Sequence, residues 1–181
     1  MGMSETSAAG SSASEASIEH RINQKLATGQ GGRNAVTLAT AESCTGGNVA
    51  ARLTSLAGSS EYVLGGIVAY SNEAKASLLG VSGETLATRG AVSAECARQM
   101  AEGARRAFGA DLAVSTTGIA GPGGATARKS VGLVYIALAG PDGVAVEEFH
   151  FPGGRRVVTD AATDAALLML LRGVERRLGR D

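Results

Sequence analysis

Tryptophan is missing from the 181 residues, and the other aromatics are three Tyr and three Phe. So few rings argue against the stacking platforms that bind single-stranded nucleic acid. Excess charge is missing too: 17 Lys and Arg balance 17 Asp and Glu. No global field draws the chain to a polyanion or an anionic bilayer, although a local basic pocket is still allowed. No uninterrupted apolar run reaches the length of a membrane span. Cys44, Cys96, His20 and His150 are the full set of cysteines and histidines. Two distant thiols make no disulfide framework, and no pair has the spacing of metal ligands, so a cytosolic, metal-free protein is expected. Residues 1–17 are rich in Ser and Ala but lack the basic and apolar regions of a secretory signal. They read as a disordered tail ahead of one domain over 18–181.

What is present is the alternation of an α/β domain. Ile18, Ile22 and Leu26 form the stripe of a short amphipathic helix, and glycines over 29–34 break it. A β-prone run over 35–40 precedes a helical pattern over 42–56, whose early Gly46 and Gly47 weaken helix propensity and must serve another purpose. A strand over 62–70 leads into a helix over 73–79, capped by Ser71 or Asn72 and stopped by Gly80. A longer helix runs from Val92-Ser93 to Phe108, followed by a strand over 112–116 and a glycine-rich loop over 117–124. Strands over 131–138 and 144–151 flank Gly140-Pro141-Asp142-Gly143, a strong hairpin signal. A last helix spans 157–178, and Arg172, Arg176, Arg177 and Arg180 suit its C-terminal end as a solvated, dipole-matched cluster. The expected fold is a three-layer α/β/α sandwich with a mixed sheet.

Ligands in such folds bind beyond the carboxyl ends of strands, and three of those ends are rich in chemistry. In Glu42-Ser43-Cys44-Thr45-Gly46-Gly47, Ser43 stands at a helix start, where free N–H groups can hold an oxyanion. The same serine can simply cap the helix, and the segment is not a G-x-S-x-G elbow. In Tyr70-Ser71-Asn72-Glu73-Ala74-Lys75, the lysine is a candidate base, because the first turn of a helix and burial both disfavour its ammonium form. The alternative is a surface lysine beside a strand-end aromatic. The glycines over 117–124 suit a phosphate or carboxylate, or an ordinary turn. Cys44 competes as a nucleophile or is a small buried residue, and Glu42 is an acid/base candidate or a helix-start carboxylate.

Taken together, these motifs resemble the C-terminal domain of the competence/damage-inducible family CinA. The resemblance covers about residues 18–178. It is carried by Thr40-Ala41-Glu42-Ser43-Cys44-Thr45-Gly46-Gly47, by Leu64-Gly65-Gly66-Ile67-Val68-Ala69-Tyr70-Ser71-Asn72-Glu73-Ala74-Lys75, by Gly90-Ala91-Val92-Ser93 and by Thr117-Gly118-Ile119-Ala120-Gly121-Pro122-Gly123-Gly124. The family includes stand-alone nicotinamide-nucleotide amidases. The resemblance implies hydrolysis of the carboxamide of nicotinamide mononucleotide to nicotinic acid mononucleotide and ammonia, without metal or cofactor. It puts the family's nucleophile on Ser43, its base on Lys75 and its tyrosine on Tyr70, where the phenol would relay the proton or orient the amine. The implied binding residues are Thr45, Gly46 and Gly47 around the oxyanion, Asn72 and Thr117, and the loop glycines Gly118, Gly121 and Gly123. Arg155, ahead of the last helix, joins them for the phosphate. The implied partner is a small nucleotide, with no direct nucleic-acid or membrane contact, and a homo-oligomer is the expected assembly.

Two departures stand out. Where the family carries a Thr-Pro-Glu-Lys-Pro-like run, this chain reads Thr126-Ala127-Arg128-Lys129-Ser130, and Gly154 replaces an aspartate before Arg155. Lost prolines would loosen the loop, and Arg128 would change its charge. A catalytically silent nucleotide- or partner-binding relative is the rival expectation.

Overall fold

The structure is a computed structural model, and it describes residues 16–27 and 36–179. The expected glycine loop over 29–34, and all but residues 16 and 17 of the expected tail, lie outside the described residues.

A five-stranded sheet has the order β2-β1-β3-β4-β5, with β1 Leu38–Glu42, β2 Val63–Val68, β3 Leu112–Gly118, β4 Leu133–Gly140 and β5 Gly143–His150. β1 is parallel to β2 and β3, while β3–β4 and β4–β5 are antiparallel. The expected mixed sheet is therefore present, and the Gly140–Gly143 hairpin sits where its turn residues place it.

Strand alternation divides the core. Leu38, Leu112, Val114, Val134, Ile136 and Leu138 face α1 (Ile18–Leu26), α2 (Asn48–Thr54) and α6 (Arg155–Leu178), packing on Ile22, Val49, Leu53, Leu167 and Leu170. The other face presents small residues: Ala39, Ala41, Ala113, Ala137 and Ala139 lie against α5 (Ala94–Phe108) at Ala97, Met100, Ala101 and Ala104. Alanine on both sides lets α5 approach closely. α3 (Asn72–Leu79) and α4 (Gly83–Thr88) pack on α5, completing the third layer.

α3 also lies close on α5: at Gly103 an added Cβ would run into the carbonyl oxygen of Leu79, the last residue of α3. Backbone cannot retreat as a side chain can. Gly103→Ala should therefore lower stability by about 3 kcal/mol, the upper range for overpacking. A urea midpoint unchanged from the parent would refute it.

Several boundaries differ from expectation, two of them beside Ser43. The first strand runs to Glu42, which pairs with Val68 and Thr116. The following helix begins only at Asn48, because residues 43–47 form a turn in which Gly46 and Gly47 take φ of 63° and 103°. These left-handed values explain glycines that helix propensity disfavours. The short α4 was not expected; Ser82 caps it by accepting from the Thr85 amide at 3.1 Å.

The connection after β1 runs through α2 on one face, and the connection after β2 runs through α3–α5 on the other. Adjacent parallel strands whose connections leave to opposite faces open a crevice at their carboxyl ends. Ser43 follows β1 and Tyr70 follows β2, so both candidate loops meet at that crevice.

Candidate active site

Lys75 lies in the first turn of α3, whose start is set by Ser71: its hydroxyl oxygen accepts from the Ala74 amide at 3.1 Å. The lysine points inward and is 2% exposed. Its Nζ stands 2.9 Å from Ser43 Oγ, 2.9 Å from the Ala69 carbonyl and 3.2 Å from the Tyr70 carbonyl. The two carbonyls can only accept, so they take two N–H bonds in either protonation state. As an ammonium, the third N–H donates to Ser43; as a neutral amine, the lone pair faces Ser43 and the hydroxyl donates. Burial holds the lysine pKa below its ordinary value, and no carboxylate is among its hydrogen-bond partners within the described residues. The geometry therefore suits a neutral amine that accepts a proton from Ser43.

Ser43 is fixed from below by its amide, which donates to the Thr116 carbonyl at 3.0 Å. Glu42, 1% exposed, turns into α2 instead of the cleft. Its carboxylate accepts from the Gly47, Val49 and Ala50 amides at 2.8–3.0 Å and from the Thr45 hydroxyl at 2.7 Å. Glu42 is thus the cap of α2, reaching back from the strand, and the acid/base alternative loses its geometry.

This rearranges the expected oxyanion donors. The Gly47 amide is bound to Glu42 and the Gly46 amide to the Ser43 carbonyl at 3.2 Å. The Thr45 hydroxyl bonds Glu42 and Thr116, and Thr45, Gly46 and Gly47 do not line the cleft. Among the described residues, the amides of Cys44 and Thr45 have no protein acceptor; they are the donors next to Ser43 that remain.

Cys44 lines the cleft, but burial raises its thiol to about 12 and that of Cys96 to about 11. Both stay protonated at neutral pH, which removes the competing thiolate nucleophile.

The cleft has a volume of about 280 Å³ and brings Ser43, Tyr70, Asn72, Lys75, Thr117, Gly118, Gly121, Gly123 and Arg155 together. Larger space exists at the Gly140–Gly143 hairpin, far from any of these groups. Several members play parts other than those expected. Tyr70 touches Lys75 through its main-chain carbonyl, while its exposed phenol oxygen accepts from Arg155 Nη1 at 3.4 Å. The Thr117 hydroxyl donates to the Ala91 carbonyl at 2.7 Å, tying the glycine loop to the 90–93 segment. Arg155 is the first residue of α6, not a residue before it.

Sequence reading missed Lys129. Its Nζ donates to the Arg89 and Val92 carbonyls at 2.7 and 2.6 Å, and Thr126 and Lys129 form a bridge. The altered 127–130 run is therefore anchored without prolines. At the far end, Arg176 and Arg177 lie in the last turn of α6, while Arg172 pairs with Glu147 of β5 at 3.1 Å; Arg180 lies outside the described residues. Among the described residues no helix is long and apolar enough to cross a membrane, and no group of acidic, His or Cys side chains is placed to hold a metal.

A three-layer α/β domain with a serine–lysine pair at the switch point of its sheet is the class these observations define. The family model described as the CinA C-terminal domain matches residues 15–174, and the chain belongs to that family. A CinA-like protein of Citrifermentans bemidjiense is 56% identical over 137 residues, 76% of this chain and 33% of its own length. A putative competence-damage inducible protein of Moorella thermoacetica is 51% identical over 77% of this chain and 34% of its own. The chain thus spans about a third of the length of these curated relatives. Among solved structures, the competence/damage inducible protein CihA of Agrobacterium tumefaciens superposes with a TM-score of 0.80 at 44% identity, covering 86% of this chain and 92% of that one. A CinA superfamily protein of Klebsiella pneumoniae gives 0.81 at 33% identity, covering 88% and 96%.

Proposed function

We propose that the domain hydrolyses the carboxamide of nicotinamide mononucleotide to nicotinic acid mononucleotide and ammonia. One observation carries the reading: a buried lysine amine 2.9 Å from a serine hydroxyl at the mouth of a nucleotide-sized cleft. Neutral Lys75 takes the hydroxyl proton as Ser43 Oγ attacks the amide carbon. The amide of Cys44, which lines the cleft, stabilises the oxyanion. The Lys75 ammonium protonates the departing nitrogen, releasing ammonia and leaving an ester on Ser43. Neutral again, Lys75 deprotonates a water that cleaves the ester to the carboxylate product.

Arg155, with the amides of the glycine loop, holds the phosphate. Arg155→Ala should raise KM about tenfold with little change in kcat, because the phosphate is bound equally in ground and transition states. A change confined to kcat would refute that role. The deciding experiment is incubation with nicotinamide mononucleotide and measurement of ammonia. Release that disappears in Ser43→Ala supports the reading; tight binding without release identifies a silent relative.

A further inference from the structure

Tyr70 spans the cleft from one functional end to the other. Its carbonyl oxygen is 3.2 Å from Lys75 Nζ, and its phenol oxygen is 3.4 Å from Arg155 Nη1. An amide placed at Ser43 and a phosphate placed at Arg155 must carry the intervening ring past this side chain. Among the described residues lining the cleft, no other is aromatic and none is acidic. A positively charged ring bound there meets no carboxylate. The side chain of matching electrostatic sign is the phenol, whose face is electron-rich and whose oxygen, not its face, is the atom Arg155 bonds.

We propose that the Tyr70 ring is the wall that receives a cationic aromatic ring, making the cleft selective for amides carried on a quaternised pyridine over those on a neutral ring. This rests on the amidase reading for the placement of the two ends of the ligand, and it makes Tyr70 a specificity-determining residue instead of a proton relay. Its phenol is held toward Arg155, while the lysine amine is served by main-chain oxygens. A relay would need the hydroxyl; a wall needs only the ring.

The test uses equilibrium binding by calorimetry in a Ser43→Ala background, so that turnover plays no part. The probes are nicotinamide mononucleotide and benzamide riboside 5′-monophosphate, which keeps the carboxamide, the flat ring and the phosphate but has no ring charge. The charged ring should bind about fivefold more tightly, the size expected of a cation over an exposed aromatic face. Tyr70→Leu should bring the ratio to about one by removing that face, and Tyr70→Phe should keep it, since phenylalanine retains the face without the hydroxyl. A ratio of one or less before substitution, a ratio untouched by Tyr70→Leu, loss of the ratio in Tyr70→Phe, or binding of neither probe would each overturn the proposal. Failure of the unsubstituted protein to release ammonia would sink the amidase reading while leaving this binding preference standing. An active enzyme with no preference would sink this inference alone.

Discussion

Lys75→Met should cut amide hydrolysis by roughly a thousandfold, the middle of the range for removing a general base. Methionine keeps the apolar stem of the buried chain but puts no basic nitrogen beside the Ser43 hydroxyl, 2.9 Å from the amine in the parent. The pH profile supplies an independent check with a definite sign. Burial lowers the Lys75 pKa, so the proton-accepting amine becomes populated below the ordinary lysine value of about 10.4. In the parent, kcat/KM should rise as pH climbs through that depressed pKa and then level off. In Lys75→Met the rise should vanish. A parent profile flat from neutral to alkaline pH, or a methionine variant keeping a tenth of the activity, would remove Lys75 from the mechanism.

The second large effect concerns a residue outside the cleft. Glu42→Ala strips one carboxylate that serves the Gly47 amide before α2, two amides within α2 and the Thr45 hydroxyl. Buried donors left without acceptors cost about 1–3 kcal/mol each before relaxation and water entry. A loss of roughly 4 kcal/mol is expected for the whole group after partial relief. Because Ser43 is the next residue, kcat should fall further than the folded fraction explains, while KM changes little. Glu42→Gln keeps the shape and one acceptor oxygen, and should fall between parent and alanine variant in both measures. A variant with parental stability would show that the clamp is dispensable.

Sequence periodicity carried the layers well, because the sheet faces differ sharply in residue size. Leu38 on the face of α2, Val114 on that of α6, and Ala39 and Ala113 on that of α5 are legible as alternation. The strand-end motifs brought Ser43 and Lys75 to notice and the family pattern added Arg155, and the structure places all three on one cleft. What stayed hidden was direction. Nothing in the string says that Glu42 turns back into α2, that Thr117 spends its hydroxyl on Ala91, or that Tyr70 approaches the lysine with its backbone. Those assignments depend on which side of a strand end a side chain leaves, and at the last residue of β1 the chain is already bending. Lys129 was hidden for a different reason. Its acceptors are carbonyls 37 and 40 residues away, and a main-chain acceptor leaves no trace in residue type.

The carboxylate clamp also sets a polarity in the cleft. Three helices begin beside it, α2 after the Ser43 turn, α3 at Asn72 and α6 at Arg155, and each start is a positive pole suited to an anion. At α2 that pole is already occupied by Glu42 and at α3 Ser71 caps it, whereas α6 follows Gly154 without a side-chain cap and carries Arg155 as its first residue. Gly154, in place of an acidic neighbour, leaves that third pole uncovered. A ligand with one neutral and one anionic end therefore has a single favourable way round, with its charge at α6 and its uncharged group delivered to the serine.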